Sequence, residues 1–243
     1  MRQFSSIPVF LFYAILIVCA PSTYATDIPL EENDISVAIS PELTGVTVTH
    51  KGKNFRITRN QDTEAVIKPP FAKTSRACPP FCIQPISLAP GVETLGEIEV
   101  LDYLSKMHKG DNSTLVIDSR TPDWLAKGTI PGAKNIPWNV LNPKLGATTD
   151  KIIQIMSDQF GVKLATDVDA FAVDEAIVDG DTSKVFDFSN AKTLVLFCNG
   201  MWCGQSPNNI TNLLKFGYPA DKLKWYRGGM QAWSILGLST AKP

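Results

Sequence analysis

Two cysteines five positions apart, Cys198 and Cys203, hold the most reactive pattern in this 243-residue chain. Cys198 follows the apolar run Leu194-Val195-Leu196-Phe197, which reads as a buried strand. After it comes Asn199-Gly200-Met201-Trp202-Cys203-Gly204, a short loop with two glycines. Ser206 then stands as an N-cap and Pro207 as the first helical residue, so a helix is predicted to begin there. A thiol where loop amides and a helix N-terminus converge deprotonates readily, and the thiolate is the nucleophile. The dipole of such a terminus is worth up to ~2 kcal/mol when partly buried. At ~1.4 kcal/mol per pKa unit, it lowers a thiol by roughly one unit. The amides of Asn199, Gly200, Met201, Trp202, Cys203 and Gly204 form a natural cradle for a bound anion. No charged residue lies between Asn199 and Gln205. Lys224 and Arg227 could bring a cation from outside the loop, or could be ordinary solvated or ion-paired residues.

Cys203 has two readings: a resolving thiol that attacks an oxidised or sulfur-loaded Cys198, or a thiol packed beneath the loop. Cys78 and Cys82 flank Pro79-Pro80-Phe81 and are expected to form a local disulfide or structural clip, with the prolines limiting the geometry. If the two cysteine pairs met in space, four thiolates would suit zinc or cuprous copper. The prediction is no metal and no cofactor. His50 and His108 sit in no metal-ligand spacing, and neither is expected to pair with Cys198. Asp118 and Arg120 end another apolar run, where at first sight they could be catalytic. Trp138 and Trp233 are read as core or rim aromatics, and Trp202 as a cap over the pocket or an apolar face for a partner.

The elements that must position these residues follow from periodicity. Gly45 to His50 and Phe55 to Thr58 alternate around a Lys51-Gly-Lys-Asn54 turn, predicting a β-hairpin. Residues 68–92 are proline-rich and read as an ordered linker or wrapped loop. Ile98, Leu101 and Leu104 predict a helix capped by Thr94. Leu115-Val-Ile117 and Leu223 to Tyr226 predict further strands; residues 150–160, Asn208 to Phe216 and Gln231 to Leu236 predict helices; 161–190 are polar and variable in character and read as an insertion. Strands alternating with helices imply an α/β fold built on a parallel sheet.

Composition narrows the function classes. The chain is 44% hydrophobic with a net charge of −1, and no basic stripe points to nucleic acid. Arg2, the apolar run Ile7 to Ala20 and Thr23-Tyr-Ala25 resemble a secretory signal peptide cleaved after Ala25. The alternatives are an uncleaved anchor, for which the run is short against the ~20 residues of a span, and lipid attachment at Cys19, for which Val18 is bulky. The expected organisation is a signal peptide at 1–25, an extension with the hairpin and the Cys78–Cys82 segment at 26–92, and one domain at 93–243. The mature protein is expected to be periplasmic or secreted, with no membrane association after cleavage.

Four segments in order resemble the rhodanese family over about residues 93–240. They are Leu115-Val-Ile-Asp118-Ser-Arg120; Gly128-Thr-Ile-Pro-Gly-Ala-Lys-Asn-Ile-Pro137, where Thr129 replaces a common histidine; Leu194 to Gly204; and Tyr226-Arg-Gly-Gly-Met-Gln-Ala-Trp233. The whole chain is similar to secreted bacterial rhodanese-like proteins with a Cys-Pro-Pro-Phe-Cys-type segment. The resemblance implies a parallel sheet flanked by helices and a sulfurtransferase in which Cys198 carries sulfur as a persulfide; it also implies that Asp118 and Arg120 are structural, holding the sheet edge and loops together. Its partners would be a small sulfur-containing anion such as thiosulfate and a thiol or protein acceptor. The chain departs from the family in its uncharged loop, which is expected to be longer because the helix cap is placed at Ser206.

Three functions follow. The first is sulfur transfer through Cys198, the second is thiol–disulfide exchange between Cys198 and Cys203, and the third is a non-catalytic binding module presenting Trp202. Phosphatase chemistry is disfavoured because no arginine lies between Cys198 and Ser206 to clamp a transferring phosphoryl group.

Overall fold

A computed structural model describes residues 36–243 apart from 68, 70 and 183. The leader expected at 1–25, with Cys19, lies outside the described residues. The hairpin forms as the alternation predicts. β1 (Gly45–His50) pairs antiparallel with β2 (Lys53–Thr58), with Val48 opposite Phe55. Lys51 and Gly52 both take positive φ, which suits a two-residue hairpin turn between twisted strands. Val46, Val48 and Ile57 face inward.

β3 (Glu93–Leu95) leads directly into α1 (Glu97–His108). Thr94 therefore lies in a strand and is not the cap. Gly96 takes that place, and its amide donates to Glu99 Oε2 at 3.0 Å. The inward face of α1 is Val100, Leu101 and Leu104, whereas Ile98 is 48% exposed. β4 (Thr114–Asp118) is followed by the short α2 (Pro122–Leu125), β5 (Lys134–Asn135) and α3 (Thr149–Phe160). Thr148 caps α3 through Lys151 N, and Gly161 ends it in a left-handed conformation.

Residues 161–190 hold elements of their own. β6 (Lys163–Leu164) and β7 (Phe186–Asp187) pair antiparallel around α4 (Ala170–Asp179), which Asp169 caps. β8 (Thr193–Phe197), α5 (Gln205–Lys215), β9 (Leu223–Tyr226) and α6 (Gly229–Ile235) complete the chain.

The main sheet has the order β3-β9-β8-β4-β5 with every pairing parallel. β8 occupies the middle, so Cys198 emerges at the carboxyl end of the central strand, where open parallel sheets place their ligands. Side chains of β8 alternate between two cores. Leu194 and Leu196 pack with Ile152, Met156, Phe160, Ile210 and Leu213. Val195 and Phe197 pack with α1, Trp233 and the hairpin residues Val48 and Ile57. At ~1.5–3 kcal/mol for each large apolar side chain fully buried, the hairpin is part of what holds the second layer. It is also clasped by the C-terminal segment: Ser239 N donates to Thr58 O at 3.0 Å and Asn60 N to Gly237 O at 2.7 Å.

Candidate active site

The end of β8 places Cys198 almost out of solvent, at 2% exposure. α5 begins earlier than the sequence suggests. Its N-cap is Gly204, and Ser206 and Pro207 lie inside the first turn. Proline is tolerated there because the first amides of a helix have no intrahelical acceptor. The shift gives Ser206 a different role. Its hydroxyl donates to Cys198 Sγ at 3.1 Å and accepts from Trp225 Nε1 at 3.2 Å. A fully buried chain therefore runs from the β9 indole through the α5 hydroxyl to the thiol.

Two opposing effects set the Cys198 thiol. Burial pushes it up. Hydrogen bonds from the Cys203 thiol, the Ser206 hydroxyl and the amides of Ser206 and Gly200 outweigh that, bringing it down to about 7. Cys203 moves the other way. Burial raises it first, and its hydrogen bond to Cys198 and the charge there raise it further, against the amides of Asn199 and Gln205. The pair thus divides its roles: Cys198 is the sulfur that ionises first, and Cys203 retains its proton. No bond joins them. The loop amides are shared out accordingly: Gly200 and Ser206 serve one sulfur, Asn199 and Gln205 the other, while Cys203 N donates to Gly200 O at 2.9 Å.

α6 fixes the loop from the far side. Met230 N donates to Cys198 O at 3.0 Å and Gln231 N to Asn199 O at 2.9 Å. This close approach requires glycine at 229, where φ is +53° and a Cβ would lie 2.4 Å from Cys198 O.

The proline-rich segment lies across the same loop as a strap. Gln84 N donates to Met201 O at 2.8 Å, and Gln231 Nε2 to Phe71 O at 2.9 Å. Phe81 meets the Trp202 ring edge-on with centroids 5.7 Å apart, and Arg76 Cζ lies 3.6 Å from the centre of that ring. Within the strap, Cys78 and Cys82 come sulfur to sulfur with Cα atoms 4.6 Å apart. The two cysteine pairs do not share a centre, and among the described residues no three His, Cys, Asp or Glu side chains converge as a metal site would require.

Beside the loop is a cleft of about 310 Å³ walled by Phe81, Trp124, Trp138, Trp202, Asn199 and Cys203. Trp138 Nε1 and Asn199 Oδ1 are covered there without partners. Trp138 is thus a rim residue, whereas Trp233 is core and donates to Ser239 O at 2.9 Å.

The two cations named from sequence are engaged elsewhere. Lys224 pairs with Glu93 at 2.9 Å, and Arg227 donates to the carbonyls of Gln84 and Pro85, fastening the strap. Asp118 and Arg120 form a fully buried, two-pronged ion pair, with Nη2 to Oδ2 at 2.6 Å and Nε to Oδ1 at 2.8 Å. Arg120 also donates to Gly128 O, and Thr129 Oγ1 donates to Asp118 Oδ2 at 2.7 Å. The pair braces the loops after β4. His50 accepts from Gly132 N, and His108 bonds Thr49; neither contacts a cysteine. Ser206 and Arg76 are the residues that sequence reasoning missed as parts of the site. A serine beside a proline carries the signature of a cap, and nothing local connects position 76 to the loop.

The family profile for the rhodanese-like domain matches residues 100–236. Among solved structures, the chain is similar to the BH2092 protein of Bacillus halodurans, at 16% identity over 59% of this chain and 71% of that one, with a TM-score of 0.33. It is also similar to the rhodanese-like domain of the Alr3790 protein from Anabaena sp., at 15% identity over 64% of this chain and 81% of that one, with a TM-score of 0.32. No curated protein matches the chain. Among the described residues no helix is long and apolar enough to cross a membrane.

Proposed function

The chain belongs to the rhodanese-like domain family, and on that premise we propose that it is a sulfurtransferase carrying a sulfane sulfur as a Cys198 persulfide. The observation that carries the reading is the buried Cys198 sulfur at the end of β8, which takes a hydrogen bond from Ser206 Oγ at 3.1 Å; with Cys203 and two amides this brings its pKa down to about 7. With thiosulfate as donor, the thiolate attacks the outer sulfur. The new S–S bond forms as the old one breaks, and its electron pair leaves with sulfite. An acceptor thiolate then attacks the outer persulfide sulfur and returns Cys198 as a thiolate. Small sulfur-containing anions and thiol or protein acceptors are the proposed partners.

The leader-like residues 1–25 support a periplasmic or secreted protein, and the Cys78–Cys82 geometry supports a disulfide suited to an oxidising compartment. The reading is tested by incubating the reduced mature protein with thiosulfate and measuring intact mass. A gain of one sulfur, absent in Cys198→Ser, is expected; no adduct on the native protein sinks it.

The hydrogen-bonded Cys198–Cys203 pair favours a second reading, reversible disulfide formation between these residues. Oxidation that removes both free thiols, followed by full recovery with a dithiol, is its expected signature.

A further inference from the structure

The site still needs a cation if its substrate is an anion, and the loop supplies none. Arg76 is placed to meet that need. Its guanidinium carbon lies 3.6 Å from the centre of the ring of Trp202, the residue directly before Cys203. That ring is fixed in turn, since Trp202 Nε1 donates to Gln231 Oε1 at 2.7 Å. A guanidinium stacked on an aromatic face ordinarily keeps its N–H edge in water or on an acceptor. Here Nε and Nη2 are both covered and neither has an acceptor. No carboxylate pairs with Arg76, because the ion pairs among the described residues are Lys106–Asp102, Arg120–Asp118 and Lys224–Glu93. Burial lowers its pKa, and it lies close enough to Cys203 for any negative charge on that sulfur to oppose the shift.

We propose that Arg76 is the substrate-binding cation of this site, reaching from the strap to hold the oxyanion end of the sulfur substrate beside the Cys198–Cys203 loop. The class of ligand is a small sulfur oxyanion, thiosulfate as donor and sulfite as the leaving product. Nε and Nη2 form the edge of the planar fork that such oxyanions meet with two parallel hydrogen bonds. The charge is therefore delivered by the strap, two residues before Cys78 and outside the residues that match the family profile.

The inference rests on the sulfurtransferase reading, and its test separates the two. Sulfite binding is measured by calorimetry on the Cys198→Ser protein, which cannot be loaded with sulfur. Adding Arg76→Gln is expected to weaken sulfite binding tenfold or more, with Arg76→Lys recovering part of it. Unchanged thermal unfolding in the absence of anion shows that the strap is intact. As a second readout, Cys198 alkylation is compared between anionic iodoacetate and neutral iodoacetamide. Arg76→Gln should lower the iodoacetate rate several-fold relative to iodoacetamide, a change that mere loosening of the strap would not produce. Equal sulfite affinity with and without Arg76, or no sulfite binding by the Cys198→Ser protein, overturns the proposal even if the native protein loads sulfur. Arg76-dependent sulfite binding in a protein that never loads sulfur upholds it and overturns the sulfurtransferase reading instead.

Discussion

Ser206 Oγ lies 3.1 Å from Cys198 Sγ and itself accepts the indole proton of Trp225 at 3.2 Å, so the hydroxyl proton is directed onto the sulfur. Within a low-dielectric pocket this favours the thiolate, because the hydrogen bond is stronger to the charged form.

Replacing Ser206 with Ala should therefore raise the Cys198 pKa above its value of about 7. A hydrogen bond to a charged group contributes ~1.5–3 kcal/mol, and at ~1.4 kcal/mol per unit the shift should be roughly one to two units upward. The sign for reactivity follows: with a higher pKa, less thiolate exists at pH 7. Iodoacetamide rates as a function of pH should show a midpoint near 7 in the native protein and a higher midpoint in the variant, with roughly tenfold slower alkylation at neutral pH.

Gly229→Ala should disrupt the clamp that α6 places on the loop. The added methyl would meet Cys198 O at 2.4 Å and Gly200 N at 2.8 Å, on a backbone with φ of +53°. The left-handed conformation alone costs ~1–2 kcal/mol for a residue with a side chain. At ~2–4 °C per kcal/mol for a protein of this size, thermal unfolding should fall by several degrees. Cys198 alkylation should also lose its midpoint near 7, since the loop must move to admit the methyl.

Asp118→Ala should destabilise the fold by ~3–5 kcal/mol, because it leaves the buried guanidinium of Arg120 without its carboxylate. Chemical denaturation would measure it. Thr129→Val, which removes one hydrogen bond to the same carboxylate, should cost less, ~1–3 kcal/mol. A bracing role predicts that any protein still folded keeps the Cys198 alkylation profile.

Thiol counting tests the strap. If Cys78 and Cys82 are joined in the mature protein, alkylation under denaturing, non-reducing conditions should label only Cys198 and Cys203, and reduction should expose both strap cysteines. The Cys78→Ser, Cys82→Ser double variant should become more sensitive to proteolysis within residues 71–92, where Gln84, Phe71 and Arg227 otherwise hold the backbone.

Much of this architecture is legible in the residues themselves. The central strands declare themselves as apolar runs, and the hairpin as two alternating segments around a glycine turn. β3 and β5 do not, because three- and two-residue strands exist only through their partners, Lys224 to Tyr226 and Ile117 to Asp118. α4 escapes notice because Val173 is its only buried residue while Phe171 and Val178 face solvent, so no apolar stripe marks its period. The nucleophile candidate is visible from its strand, loop and helix. Its surroundings are tertiary. Trp225 reaches Ser206 only after β9 lies beside β8, and Arg76 reaches Trp202 only once the strap has wrapped.

The clasp between Thr58 and Ser239 has a consequence for synthesis. The hairpin is among the first parts of the described chain to leave the ribosome, yet the groups that lock it, Gly237 and Ser239, are among the last. Its inward residues Val46, Val48 and Ile57 also wait for Trp233 and Leu238. A growing chain thus cannot complete its second layer until residues 233–239 have been made, and until then the apolar side of the hairpin lacks Trp233 and Leu238. Long-range closure of this kind slows folding, and the interval before it is when a chaperone would find the most to hold.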